Sequence, residues 1–238
     1  MADMSEIIVA LDLPSGSAAL GLVDRLGEAV GFYKIGSAVF TRNGPAIVRE
    51  LRSRGKRVFL DLKYHDIPNS VARAVEAAAA MDVQLLTLHA CGGTAMMRAA
   101  REAVGDDGPR LLGVTILTSF SATDVEEVWH KEVLSVRDEV VRLAALAAES
   151  GLHGVVTSPL EAETMKRRHG EEFLVVTPGI RPAGGGINDQ SRTATPASAV
   201  SAGADYLVVG RPILDAEDPL AVAQLILAEI QAAEQVVS

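Results

Sequence analysis

The sequence predicts an α/β chain closed into a (β/α)₈ TIM barrel, and three observations lead there. Short β-branched runs recur eight times, each followed by a stretch with helical periodicity. The 238 residues are close to what one such barrel needs. The composition is 48% hydrophobic but only 4% aromatic, so Val, Leu, Ile and Ala must fill the core, as in parallel strands covered by helices. An open doubly wound sheet is the structural rival. It more often carries a glycine-rich loop after the first strand, where this chain reads Asp12-Leu13-Pro14-Ser15-Gly16-Ser17.

In chain order the strands are expected at 7–12 (IIVALD), 32–36 (FYKIG), 57–63 (RVFLDLK) and 85–90 (LLTLHA), then at 111–116 (LLGVTI), 154–158 (GVVTS), 173–178 (FLVVTP) and 206–210 (YLVVG). Ala- and Leu-rich stretches between them predict helices, notably over 70–80, 94–103, 132–149 and 218–233. No linker or composition shift divides the chain, so residues 1–238 are expected to form one barrel domain. The segment 182–195 (PAGGGINDQSRTAT) is long, polar and glycine-rich. It follows the seventh strand and reads either as a lid over the catalytic face or as an ordinary surface connection.

Several function classes are excluded early. Cys91 is the sole cysteine, which leaves no intrachain disulfide and no cysteine-based metal cluster and points to a reducing cytoplasm. The N-terminal residues have no basic region followed by an apolar run, and no stretch is apolar enough to predict a membrane span. A net charge of −9 argues against nucleic acid or an anionic membrane as partner. It leaves room for a small anionic ligand held by a few arginines.

Polar residues gather where the strands are expected to end. Asp12 ends the first strand, Lys34 lies late in the second, and Asp61 and Lys63 end the third. Thr118 follows the fifth, Arg181 the seventh and Arg211 the eighth, with Gly210 just before it. Active sites of such barrels are built at this end. Strand periodicity sends Asp61 and Lys63 to one face and Leu62 to the other. Lys34 can flank Asp61 from the neighbouring strand, giving an alternating array in which each charge keeps its neighbour ionised. A structural salt-bridge network at the barrel mouth would show the same pattern. His65, next to the cluster, fits a packing or supporting role and is assigned no acid–base work, whereas His89 at the end of the fourth strand can either face the site or pack. Arg181 and Arg211, on loops after the last two strands, suit a phosphate, and Gln190 in the intervening segment can close over it.

The run DLKYHDIPNSV resembles the signature D-x-K-x-x-D-I-P-N-[TS]-V of orotidine 5′-monophosphate decarboxylases. The resemblance extends to VALD, FYKIG, VTILTS, VTPGIRP and VVGRPI, nearly the whole chain. It implies a homodimeric, cofactor-free enzyme that converts orotidine 5′-monophosphate to uridine 5′-monophosphate and CO₂ in pyrimidine biosynthesis. By the same resemblance Lys63 would protonate C6, and Asp61 would face the substrate carboxylate. Asp66 would complete the array in the partner subunit's site. Asp12 and Lys34 would bind the ribose hydroxyls, with Thr118 nearby and Ser121 a candidate for the pyrimidine edge. Arg181, Gln190, Gly210 and Arg211 would grip the phosphate. The remaining residues of the signature segment, Leu62, Tyr64, His65, Ile67, Pro68, Asn69 and Ser70, are carried with it as substrate-binding. One alternative is a barrel decarboxylase or aldolase acting on a phosphorylated sugar acid. That group uses a similar D-x-K-x-x-D run with Mg²⁺, and an acid at the end of strand two would favour it. FYKIGSAVF contains none. A catalytically silent nucleotide sensor is another alternative, against which the full set of charged residues speaks.

Overall fold

In the computed structural model, residues 5–130, 135–182 and 193–237 are described. Eight parallel strands pair in sequence order, and the last pairs with the first through Glu6↔Tyr206 to Val9↔Val209, closing the barrel. The strands are β1 (Glu6–Ala10), β2 (Phe32–Gly36), β3 (Arg57–Tyr64), β4 (Leu85–His89), β5 (Arg110–Val114), β6 (Gly154–Val156), β7 (Leu174–Thr177) and β8 (Tyr206–Val209). All eight predicted strands form, and the open-sheet rival falls because β8 pairs β1.

Several strands stop short of the predicted end. β1 ends at Ala10, although the Leu11 N–H still donates to the Lys34 carbonyl, so Asp12 stands just beyond the ladder. β6 ends at Val156 because Ser158 turns to accept the Leu160 N–H and Pro159, which has no N–H, opens a short 3₁₀ turn.

The helices between strands are α1 (Gly16–Leu26), α2 (Ser37–Asn43), α3 (Pro45–Ser53), α4 (Pro68–Ala79), α5 (Gly93–Val104), α6 (Ala122–Trp129), α7 (Val136–Glu149), α8 (Ala162–His169), α9 (Pro196–Ser201), α10 (Arg211–Leu214) and α11 (Pro219–Val237). Two of these starts are capped by serines: Ser15 accepts the Ala18 N–H at α1 and Ser135 the Asp138 N–H at α7. Pro68 occupies the first turn of α4, where a missing N–H costs nothing. The helix predicted over 132–149 is seen from Val136, and residues 132–134 lie outside the described part. No helix among the described residues is long and apolar enough to cross a membrane.

Two apolar layers hold the barrel. Outward-facing residues such as Tyr33, Ile35, Leu60, Leu86 and Leu88 pack against helix residues such as Val75, Leu143 and Ile226. Inside, Ile8, Ala10, Phe32, Phe59, Leu85, Leu112, Val176 and Val208 form a separate apolar floor. Two residues further along β2, β3 and β4 stand Lys34, Asp61 and Thr87, which therefore project from the same inner face as Phe32, Phe59 and Leu85. The fold thus seats a polar ring directly on an apolar base.

Candidate active site

Lys34 and Asp61 of this ring line a cavity of about 720 Å³, within the range usual for small-molecule sites. Its wall includes Asp12, Lys34, Asp61, Lys63, Thr118, Arg181, Gly210 and Arg211. These eight lie on or just after six of the strands, and the sequence had singled out each of them.

At the centre, both oxygens of the Asp61 carboxylate accept from the Lys63 Nζ at 2.8 Å. Lys34 Nζ stands 3.5 Å from Asp61 Oδ2 and donates to Asp12 Oδ1 at 3.0 Å. The array is therefore Asp12–Lys34–Asp61–Lys63, one carboxylate longer than the sequence reading. Burial pushes the Asp61 carboxyl upward. The Lys34 and Lys63 ammoniums, with hydrogen bonds from Lys63 and Thr87, outweigh it and hold the group below the usual carboxylate range. Asp61 is a buried anion.

Lys63 does not reach Asp61 by plain strand alternation. The pairing of β3 with β4 runs Phe59↔Leu85 and Leu60↔Leu86, then jumps to Tyr64↔Leu88, so β3 carries extra residues there. Within that irregularity Lys63 adopts φ 52°, a left-handed conformation that a lysine occupies at a cost of about 1–3 kcal/mol. Strain of this kind concentrates at functional sites.

Two further residues serve the array without having been singled out in the sequence. Thr87, fully buried on β4, donates to Asp61 Oδ1 and accepts the Lys63 N–H, both at 2.9 Å. Gly36 ends β2 where a Cβ would lie 2.9 Å from Asp12 Oδ1 and 3.1 Å from Lys34 Nζ. A side chain there would press on both members of that ion pair and oblige them to shift.

The cavity's other polar portion follows β7 and β8. Arg181 is 8% exposed, and its Nε is buried without a hydrogen-bond partner among the described residues. A buried guanidinium with an unserved N–H favours an anion. Beside it the Arg181 N–H donates to the Ala194 carbonyl and the Ala194 N–H to the Gly179 carbonyl, which ties the chain together on either side of residues 183–192. Gln190, and with it most of the segment 182–195, lies outside the described residues, so its reading as lid or surface connection falls there too.

The family described as orotidine 5′-phosphate decarboxylase / HUMPS matches residues 5–226. The chain belongs to that family. It is 51% identical over 229 residues to the orotidine 5′-phosphate decarboxylase of Halorhodospira halophila, covering 95% of this chain and 96% of that one. It is 50% identical over 228 residues to the enzyme of the same name from Vibrio atlanticus, covering 94% and 96%. Among solved structures, orotidine 5′-phosphate decarboxylase from Lactobacillus acidophilus superposes with a TM-score of 0.85 at 36% identity, covering 95% of this chain and 99% of that one.

Seen as a member of the orotidine 5′-phosphate decarboxylase / HUMPS family, the chain keeps part of its signature segment away from the cavity. Leu62 and Tyr64 pack against the outer hydrophobic layer. His65, Asp66, Ile67, Pro68, Asn69 and Ser70 form a continuous exposed rim, with Ile67 67% exposed. There the Asp66 carboxylate accepts the Ile67 N–H at 2.6 Å. The His65 and His89 rings lie 5.6 Å apart, and burial, then His65 and Lys63, lower the His89 pKa. Ser121 does not line the cavity. It caps α6 in a reciprocal box with Asp124, a signal legible in the spacing Ser-x-x-Asp.

Proposed function

We propose that this protein decarboxylates orotidine 5′-monophosphate to uridine 5′-monophosphate and CO₂ in the pyrimidine pathway of the cytoplasm, as a homodimer. The observation that carries the proposal is the Lys34–Asp61–Lys63 array facing a cavity that also holds Arg181 and Arg211. Near-full-length relatives at about half identity carry the name of this activity.

Breaking the C6–carboxyl bond sends its electron pair to C6, where it lies in the ring plane and outside the pyrimidine π-system. A fixed cation next to C6 stabilises that charge as it develops, and water is a poor substitute. Lys63 supplies the cation and then the proton that ends the reaction at C6, and no cofactor enters this scheme. Asp61 keeps the Lys63 ammonium in place through two short hydrogen bonds and sets a negative charge near the departing carboxylate. Asp12 and Lys34 take the ribose hydroxyls, with Thr118 beside them. Arg181, Gln190, Gly210 and Arg211 hold the phosphate, whose binding energy, remote from C6, is available to organise the site. Asp66 reaches the partner's array. Its place on an exposed rim with Ile67 supports that reading, because a two-fold interface brings such a rim against its counterpart.

The sugar-acid alternative is disfavoured by Lys34, which puts an ammonium where that chemistry wants a carboxylate. The deciding experiment follows the ultraviolet change as orotidine monophosphate is consumed, before and after exhaustive chelation. Turnover that survives chelation is expected. Activity that disappears and returns with Mg²⁺ would transfer the chain to the alternative.

A further inference from the structure

We propose that Thr87 is a positioning residue for the decarboxylation, its hydroxyl holding both the Asp61 carboxylate and the Lys63 backbone in their working geometry. The inference rests on the decarboxylase reading above and extends it to a residue on β4 that the signature segment does not contain.

Thr87 is 0% exposed and stands two residues beyond Leu85 on the inner face of β4. A hydroxyl in that position must be satisfied by protein groups, and it has two. The Lys63 N–H donates to Thr87 Oγ1, and Thr87 Oγ1 lies 2.9 Å from Asp61 Oδ1. An amide can only donate, so the single hydroxyl proton is committed to Asp61. The hydrogen bond thereby has a fixed direction and favours the ionised carboxylate.

The Lys63 end explains why a side chain is used. Between Leu60↔Leu86 and Tyr64↔Leu88 the two strands are out of step, and the Lys63 N–H falls in that gap. Thr87 Oγ1 serves it there, at the residue with φ 52°. One hydroxyl therefore fixes the strained backbone that carries the ammonium and the carboxylate that aims it. Valine has the same shape and does neither.

The charged and titratable groups around Asp61 are Lys34 from β2, Lys63 from β3 itself and His89 from the end of β4, with Asp12 beyond Lys34. Loss of the Thr87 hydrogen bond removes one of the influences that keep Asp61 acidic, so its titration moves to higher pH.

The test compares wild type, Thr87→Val and Thr87→Ser as full-length protein, measuring kcat, KM and the pH profile of kcat/KM. Thr87→Val is expected to lower kcat by about 10²-fold, the scale of a small misplacement of reacting groups. Its KM stays close to wild type because the phosphate grip is untouched, and its acidic limb moves to higher pH. Thr87→Ser restores most of kcat and the wild-type limb. A valine variant with wild-type kcat and profile overturns the inference. So does a loss of kcat with an unmoved acidic limb and no recovery in serine, which makes Thr87 a packing residue. If the valine variant does not fold, Thr87→Cys, which weakens both hydrogen bonds at similar volume, is read by the same criteria. Wild type that fails to turn over orotidine monophosphate sinks the decarboxylase reading and this inference together, whereas an active wild type with an unaffected valine variant sinks the inference alone.

Discussion

Replacing Asp61 with asparagine removes one negative charge from between two ammoniums and leaves the shape almost unchanged. The Lys34 side chain is 11% exposed and that of Asp61 12%, so water screens this pair poorly. Lys63 is 33% exposed and regains part of its hydration. Lys34 keeps Asp12 at 3.0 Å, but that carboxylate is 56% exposed and compensates weakly. Breaking a buried pair costs about 3–5 kcal/mol, and the partial rehydration of Lys63 puts Asp61→Asn near the lower end, about 3 kcal/mol. For a chain of this size that is a fall in Tm of about 6–12 °C at neutral pH. Thermal melts followed by circular dichroism measure it.

The pH dependence gives a second handle on the same substitution. Asp61 titrates lower in the folded chain than in the unfolded one, so its stabilisation is present above the unfolded pKa of 3.8 and lost as pH falls through the folded value. The gap between wild type and variant should therefore persist across neutral and mildly acid pH and narrow only below the ordinary carboxylate range. An asparagine variant that melts with or above wild type at neutral pH would refute the reasoning, because the array would then be a net electrostatic burden on the fold.

Three other outcomes are expected. Lys63→Ala and Asp66→Ala, each nearly inactive alone, should recover about a quarter of wild-type activity when unfolded, mixed equally and refolded, since about half the dimers then hold one intact site. No recovery, with exchange verified by mass-tagged chains, would show that Asp66 serves its own subunit. Arg211→Ala should reduce kcat/KM by the equivalent of about 2–5 kcal/mol, and an unchanged value would mean that Arg211 does not touch the ligand. His153, whose Nδ1 accepts the Leu111 N–H at 2.9 Å, has its pKa lowered to about 4, first by burial and then by Arg101 and Arg110. Its neutral form is the folded one, so stability should fall as pH drops from about 6.5 toward 4. Urea midpoints for His153→Gln should be flatter across that window, and an equal slope would dismiss the histidine as the cause.

The strands were legible because a closed parallel barrel makes them short, apolar and β-branched, and only their ends shifted. Asp12, Asp61 and Lys63 could be read because each is a charge at or just beyond the end of an apolar run, and Lys34 because it is the lone charge inside one. Thr87 could not, because a threonine in LLTLH looks like any strand former and its task appears only when β3 is laid beside β4. Nor does a sequence mark the left-handed backbone at Lys63, since that conformation is common only in glycine and asparagine-like residues. Gly36 was hidden by distance, its neighbour Asp12 lying on another strand's loop. The break between α2 and α3 falls at Asn43-Gly44-Pro45, where Gly44 at φ 56° closes one helix and Pro45 opens the next.

The stacking of charged positions on an apolar floor also limits how the gene can change. Along β2 and β3 the inner face takes every second residue, so deleting one codon inside either strand would swing Lys34 or Asp61 into the helix layer and draw Tyr33 or Leu60 into the barrel. Substitution can be gradual there, whereas a change of length cannot. Turns at the opposite end of the barrel, such as the exposed residues from Gly105 to Asp107 before β5, carry no such phase. A library of single-residue insertions and deletions, selected for pyrimidine prototrophy, should therefore accept members at those turns and reject them within residues 32–36 and 57–61.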